Sequence, residues 1–145
     1  MVDRPRLVLL LQRVTGELAY LQARASEDRR ALAADDERLS GLKYRFVTVI
    51  EAVVNVAQHV CASEGWGPPK DNGDAVRLLG RHEVLSPDLA GRLARAVGFR
   101  NVLVHGYATV DDAQVVARLD DLPDFDAFVA AVTRWLMAGP ADEAG

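Results

Sequence analysis

Apolar residues recur along this chain at spacings of three and four, the period of helices buried on one face. Leu7, Leu10, Leu11, Val14, Leu18 and Leu21 mark a first helix, with Pro5 suited to its first turn and Asp3 before it as a cap. Ser26-Glu27-Asp28 caps a second, polar helix reaching about Ala34, with little apolar surface and a peripheral place. Leu39, Leu42, Phe46, Ile50, Val53, Ala57 and Val60 form a sustained stripe that predicts a long helix over 36–63. Its segment VTVIEAVVNV suits a strand by composition. Length decides for helix, because no turn residue occurs from Leu42 to Ser63 and a strand rarely exceeds about ten residues. Gly65-Trp66-Gly67-Pro68-Pro69 stops it.

A short helix is predicted over about 73–82. Ser86-Pro87-Asp88 is a strong start: a serine cap, proline at the first helical position, and an acid in the first turn. That helix runs to Val104 or His105, where Gly106 provides the exit. Asp111 and Gln114 are spaced as a capping box for a helix over 111–120. The last helix begins near Pro123, runs to Met137, and is closed by Gly139-Pro140. The pattern predicts an all-α bundle, one domain over 1–138, with a flexible tail over 139–145.

Composition narrows the picture. The 145 residues are 50% hydrophobic and 26% charged, which is ordinary for one globular domain. No uninterrupted apolar run approaches the ~18 residues of a membrane span, and the run Leu7–Leu11 is too short for a secretory core. A cytoplasmic protein with no membrane partner is expected. The single cysteine, Cys61, supports neither a disulfide framework nor a thiolate metal site. The net charge of −4 hides an arginine-rich stretch: Arg77, Arg81, Arg92, Arg95 and Arg100 are opposed only by Glu83 and Asp88. Such a stretch is either a solvated helix face or a local patch able to hold phosphates.

The helix after Ser86 carries the main anomaly. At about 100° per residue, Leu89, Leu93, Ala96, Arg100 and Leu103 share one stripe, so an arginine stands in line with core positions. It must snorkel, pair with an acid, or face a cleft that needs its charge. The opposite side carries Ala90, Gly91, Ala94, Gly98, Asn101 and His105, mostly small. Either a partner subunit or another helix of the same chain packs there.

An arginine and a histidine beside an RNA phosphate suffice for strand scission without metal. An imidazole titrates near neutral pH and takes the 2′-OH proton, while a guanidinium stabilises charge on the phosphoryl oxygens. One Arg–His pair lacks a second acid or base, which a two-fold dimer supplies. His59, His82 and His105 have no metal-ligand spacing, and there is no phosphate-binding glycine loop, so neither metal nor cofactor is expected. His59 reads as structural or polar-face, His82 as a helix-end cation, Trp66 as a packing anchor and Trp135 as a core residue.

The segment Arg100-x4-His105-x-Tyr107, in RNVLVHGY, resembles the motif of HepT-type toxins of the HEPN superfamily. The likeness extends through FVTVIEAVVNVAQHV, the Pro68-Pro69 loop and VDDAQV, over roughly residues 5–137, with the first 40 matching least distinctly. The resemblance implies a HEPN-type antiparallel helical bundle that works as a homodimer. It implies a metal-independent endoribonuclease toxin that cuts RNA, such as tRNA, by 2′-OH attack in a cleft at the dimer interface. Arg100 and His105 would be catalytic, with Asn101 supporting them, and Arg77, Arg81, Arg92 and Arg95 would help bind RNA. A cognate minimal nucleotidyltransferase antitoxin of the MntA type would AMPylate Tyr107 and so inactivate the toxin. Two other readings stand beside it: a non-catalytic HEPN subunit that binds, and is modified by, a nucleotidyltransferase, and a helical interaction protein that matches by accident.

Overall fold

A computed structural model of the chain describes residues 2–106 and 110–139. The elements run α1 (Arg4–Ala25), α2 (Arg29–Ala33), α3 (Asp36–Glu64), α4 (Asn72–Arg81), α5 (Pro87–His105), α6 (Asp112–Ala117), a 3-10 turn (Arg118–Asp121) and α7 (Pro123–Ala138). No strand occurs among the described residues, which form an all-α bundle.

The centre of the bundle is α3. Its buried residues include Leu42, Phe46, Val49, Ile50, Val53, Val56, Ala57 and Val60, which fall on more than one face. The helix is long and apolar enough, by length and composition, to cross a membrane, which uninterrupted apolar runs did not suggest. More than half of its most apolar window (56%) is nevertheless buried against other helices, as in the core helix of a bundle. Gly65 ends it at φ 72°, a left-handed conformation that disfavours any residue with a Cβ, and its N–H bonds back to the Cys61 carbonyl. Burial pushes the Cys61 thiol up to about 11, with Asp74 adding to the effect, so this cysteine is unreactive packing rather than a nucleophile.

Along α3 lies α1, through Leu7, Leu11, Val14, Leu18 and Leu21; Leu10 is only half-buried. Asp3 caps α1 by accepting from the Arg6 N–H at 3.1 Å. Ser26, expected to open the second helix, instead closes the first, and the cap of α2 is Asp28, which accepts from the Arg30 N–H at 3.2 Å. Nor is α2 merely peripheral, because Leu32 is fully buried. Five residues do not hold a helix alone; burial of that leucine, worth about 1.5–3 kcal/mol, pins it to the bundle.

The hairpin of α4 and α5 packs two helices closely at a glycine. A Cβ on Gly80 would lie 2.6 Å from the Ala90 Cβ, so even one methyl group would push the two helices apart. Ser86 caps α5 as expected, its Oγ accepting from the Leu89 N–H at 3.2 Å. The helix expected over 111–120 is shorter: α6 stops at Ala117, and the chain tightens into the 3-10 turn before α7. Asp111 caps α6 by accepting from the Ala113 N–H at 2.9 Å. The turn is braced by an Arg29–Asp120 ion pair at 3.1 Å, and α6 by a Lys43–Asp112 pair at 3.1 Å. Trp66 stacks face to face on His82 at 4.1 Å and meets Trp135 at 6.2 Å. Trp135 is half-buried rather than a full core residue. The tail assigned to 139–145 lies, beyond Gly139, outside the described residues.

One polar cluster ties α1 to α3. The Glu17 carboxylate accepts from Thr48 Oγ1 at 2.7 Å and from Arg45 Nη1 at 3.1 Å. The Thr48 hydrogen bond, helped by Arg45, outweighs partial burial and holds the Glu17 carboxyl below its ordinary value of 4.5. The ionised form is therefore favoured by folding: its contribution is complete above about pH 4.5 and disappears as pH falls through the lowered folded-state value. Thermal melting of the wild type and Glu17→Gln should differ most above about pH 5 and converge toward about pH 3. A difference that does not change with pH would contradict the assignment.

Candidate functional site

The open end of α5 carries the Arg100–His105 motif. The early part of this helix is anchored by Leu89, Leu93 and Val97, and near its end only Leu103 is buried. Arg100 continues the buried stripe, and of the three outcomes open to it the structure shows pairing with an acid. Its Nη2 donates to Glu51 Oε1 on α3 at 2.8 Å, and its Nη1 donates to Asn101 Oδ1 at 3.1 Å. The Arg100 side chain is 21% exposed and that of Glu51 46%, so the pair lies at the surface of the core, in reach of solvent. Arg100 Nε is shielded and has no hydrogen-bond partner among the described residues. The guanidinium plane is thus fixed at two points while keeping its permanent charge.

Asn101 and His105 are exposed. His105 occupies the final residue of α5, and among the described residues it has no hydrogen-bond or ion-pair partner. Gly106 follows at φ −105°, an ordinary backbone conformation, so the helix leaves without the left-handed turn that glycine permits. Its N–H still closes the helix onto the Val102 carbonyl at 2.7 Å. Tyr107 lies outside the described residues.

The small-residue side of α5 divides in two. Ala90 and Ala94 are buried, with Gly80 of α4 against Ala90, so another helix of the same chain covers that half. Gly98, Asn101 and His105 are exposed, and a Cβ on Gly98 would meet nothing within 4 Å. Beside them Val102 and Val104 are 49% and 42% exposed. Isolated exposed valines are common, but two on the last turn of one helix, next to a bare glycine, make an uncovered apolar edge.

The four remaining arginines divide between two helices. Arg77 and Arg81 lie on α4, and Arg81 approaches Asp74 at 3.6 Å. Arg92 and Arg95 lie on α5 and line a cavity with Arg118 of the 3-10 turn. Arg92 is tied to Asp124 of α7 at 3.0 Å. Glu51 is the site residue that reading the sequence missed. Its signal was present, since it is the only charged residue between Phe46 and Cys61, in the most apolar stretch of the helix.

Comparison with known proteins places the chain in a class. Residues 14–132 match the family described as ribonuclease HepT-like, and the chain belongs to that family. A tRNA nuclease HepT from Aphanizomenon flos-aquae is 27% identical over 109 residues, covering 70% of this chain and 74% of that one. An mRNA nuclease HepT from Shewanella oneidensis is 29% identical over 83 residues, covering 57% of this chain and 62% of that one. Among solved structures, a tri-AMPylated Shewanella oneidensis HEPN toxin in complex with its MNT antitoxin superposes with a TM-score of 0.81 at 21% identity, covering 88% of this chain and 96% of that one.

Glu51→Gln removes the counter-charge of Arg100 while keeping the size of the side chain. A pair this exposed contributes at most about 1 kcal/mol, so the variant should unfold in denaturant within that margin of the wild type. A loss above about 3 kcal/mol would mean that Arg100 behaves as a buried charge.

Proposed function

We propose that this chain is the endoribonuclease toxin of a HEPN/minimal-nucleotidyltransferase pair, cutting RNA without a metal ion in a cleft between two copies. The clamped Arg100 and, five residues on at the end of the same helix, an exposed His105 whose side chain has no partner among the described residues carry the reading. The nuclease names of the two HepT relatives and the toxin–antitoxin complex of the structural neighbour support it.

In this mechanism Arg100 binds the non-bridging oxygens of the scissile phosphate and stabilises the charge that builds there. His105 takes the proton from the ribose 2′-OH, the 2′-oxygen attacks phosphorus, and the bond to the 5′-oxygen breaks. The leaving oxygen takes a proton from the partner subunit's His105. The products are a 2′,3′-cyclic phosphate and a 5′-hydroxyl end. Glu51 and Asn101 hold the guanidinium in place. Val102, Val104 and Gly98 form the surface that a second copy covers, which brings two Arg–His pairs to one cleft. The partner nucleotidyltransferase silences the toxin by AMPylating Tyr107, adding bulk and negative charge two residues from His105. The protein acts in the cytoplasm, and tRNA, the substrate named for one relative, is the first RNA to test.

One observation favours the other reading, a non-catalytic subunit that is bound and modified by the nucleotidyltransferase. Glu51 already neutralises the cation that a phosphate would need. The two readings separate in a growth test with the wild type, His105→Ala and Tyr107→Phe, each with and without the partner nucleotidyltransferase. The toxin reading expects arrest by the wild type, loss of arrest in His105→Ala, relief of the wild type by the partner, and no relief of Tyr107→Phe. Absence of arrest from well-folded wild type selects the non-catalytic subunit.

A further inference from the structure

A cavity of about 240 Å³ opens one helical turn from Arg100. Its apolar walls are Phe46 and Ile50 of α3, Leu93, Ala96 and Phe99 of α5, and Phe125 of α7. The Phe46 and Phe99 rings meet edge to face at 5.7 Å. Drug-sized ligands fill about 300–1,000 Å³, so this volume suits a single flat ring rather than a whole nucleotide.

The mouth of the cavity is charged and ordered. Arg92 pairs with Asp124 at 3.0 Å and Arg118 with Asp121 at 3.4 Å. Arg95 is exposed, with no ion-pair partner among the described residues. Three guanidiniums, of Arg92, Arg95 and Arg118, and two carboxylates therefore ring an aromatic slot; Arg92 and Arg118 are held in ion pairs, and each carboxylate keeps its second oxygen outside its pair, able to accept. That combination recognises a nucleobase, whose faces are apolar and whose edge carries donors and acceptors.

Position connects the slot to the proposed cleavage site. Ala96, on its wall, stands one turn before Arg100 on nearly the same stripe of α5, about 6 Å along the axis. On α3 the wall residue Ile50 directly precedes Glu51, the partner of Arg100. Neither Arg100 nor Glu51 lines the slot, but wall residues stand one helical turn before Arg100 on α5 and one position before Glu51 on α3, so the slot neighbours the pair.

We propose that this cavity is a base-binding subsite for the nucleotide flanking the phosphate at Arg100, and that it prefers cytosine to uracil. The preference follows from the rim. A carboxylate accepts from the cytosine 4-amino group, whereas uracil presents a carbonyl oxygen there and meets repulsion. Arg95 attracts the adjoining phosphate backbone or donates to the O2 carbonyl of the base. The proposal rests on the RNA-binding reading above, and binding is measured separately from cleavage so that each can fail alone.

The probes are 2′-O-methyl oligo(C) and oligo(U) of equal length, which the 2′-OH mechanism cannot cut, and fluorescence anisotropy reads their affinity for the full-length protein. The wild type should bind oligo(C) about tenfold tighter than oligo(U). Ala96→Leu, which fills the slot, should bring oligo(C) down to the oligo(U) level. Asp121→Asn, whose side chain is half exposed and outside the core, should narrow the ratio without changing the melting temperature. Equal binding of the two probes by the wild type, or a preference retained in both variants, overturns the subsite. Selective binding of oligo(C) without cleavage of unmodified RNA would sink the nuclease and leave the subsite standing. Cleavage without base preference would do the reverse.

Discussion

The fold depends on α3 being buried on most of its circumference between Phe46 and Cys61, because the other elements of the bundle gather around that stretch. A helix in that position has almost no room for polar atoms, since a buried charge without a partner is costly. Among the described residues no polar or charged residue is fully buried. Glu51 keeps to that rule at its limit. It sits midway along α3 where the helix edge reaches solvent, and there it meets Arg100, the only charge in the stripe of α5 that faces the core. Each excuses the other's presence, and together they mark where packing gives way to chemistry.

That boundary explains the unevenness of α5. Its first three turns behave as core: they bury Leu89, Ala90, Leu93, Ala94 and Val97 between α4 and the rest of the bundle. Its last turn behaves as a tool mounted on that core, with Asn101, Val102, Val104 and His105 outside and Leu103 alone holding it down. Rigidity comes from the buried part, and the proposed reactivity would come from the exposed part. A motif carried on a loop would lose the fixed geometry that Arg100 receives from α3.

Much of this was legible in the residues themselves. The period of apolar positions located the main helices, and Ser86-Pro87 marked the start of α5 because capping chemistry is local. The misplacement of Arg100 was visible for the same reason, as an angle on one helix. Its partner was not, because Glu51 lies 49 residues away and only folding brings the two together. Ser26 and Asp28 are both competent caps two residues apart, and the burial of Leu32 settled which one opens α2. The early end of α6 likewise follows from tertiary ties, through Asp112 and Asp120, that no local pattern announces. The slot between Phe46, Phe99 and Phe125 combines three helices and had no linear signature.

The division of the small-residue side of α5 has a consequence for how the protein behaves as its abundance changes. The half that folding needs is satisfied within one chain, and the half left bare is the face that the proposed dimer would cover. A single copy can therefore fold and persist without its twin. If two copies complete the cleft, the active species grows with the square of concentration while dimers are scarce. Low-level expression would then pass unnoticed, and the response would turn on steeply, a threshold written into one face of one helix.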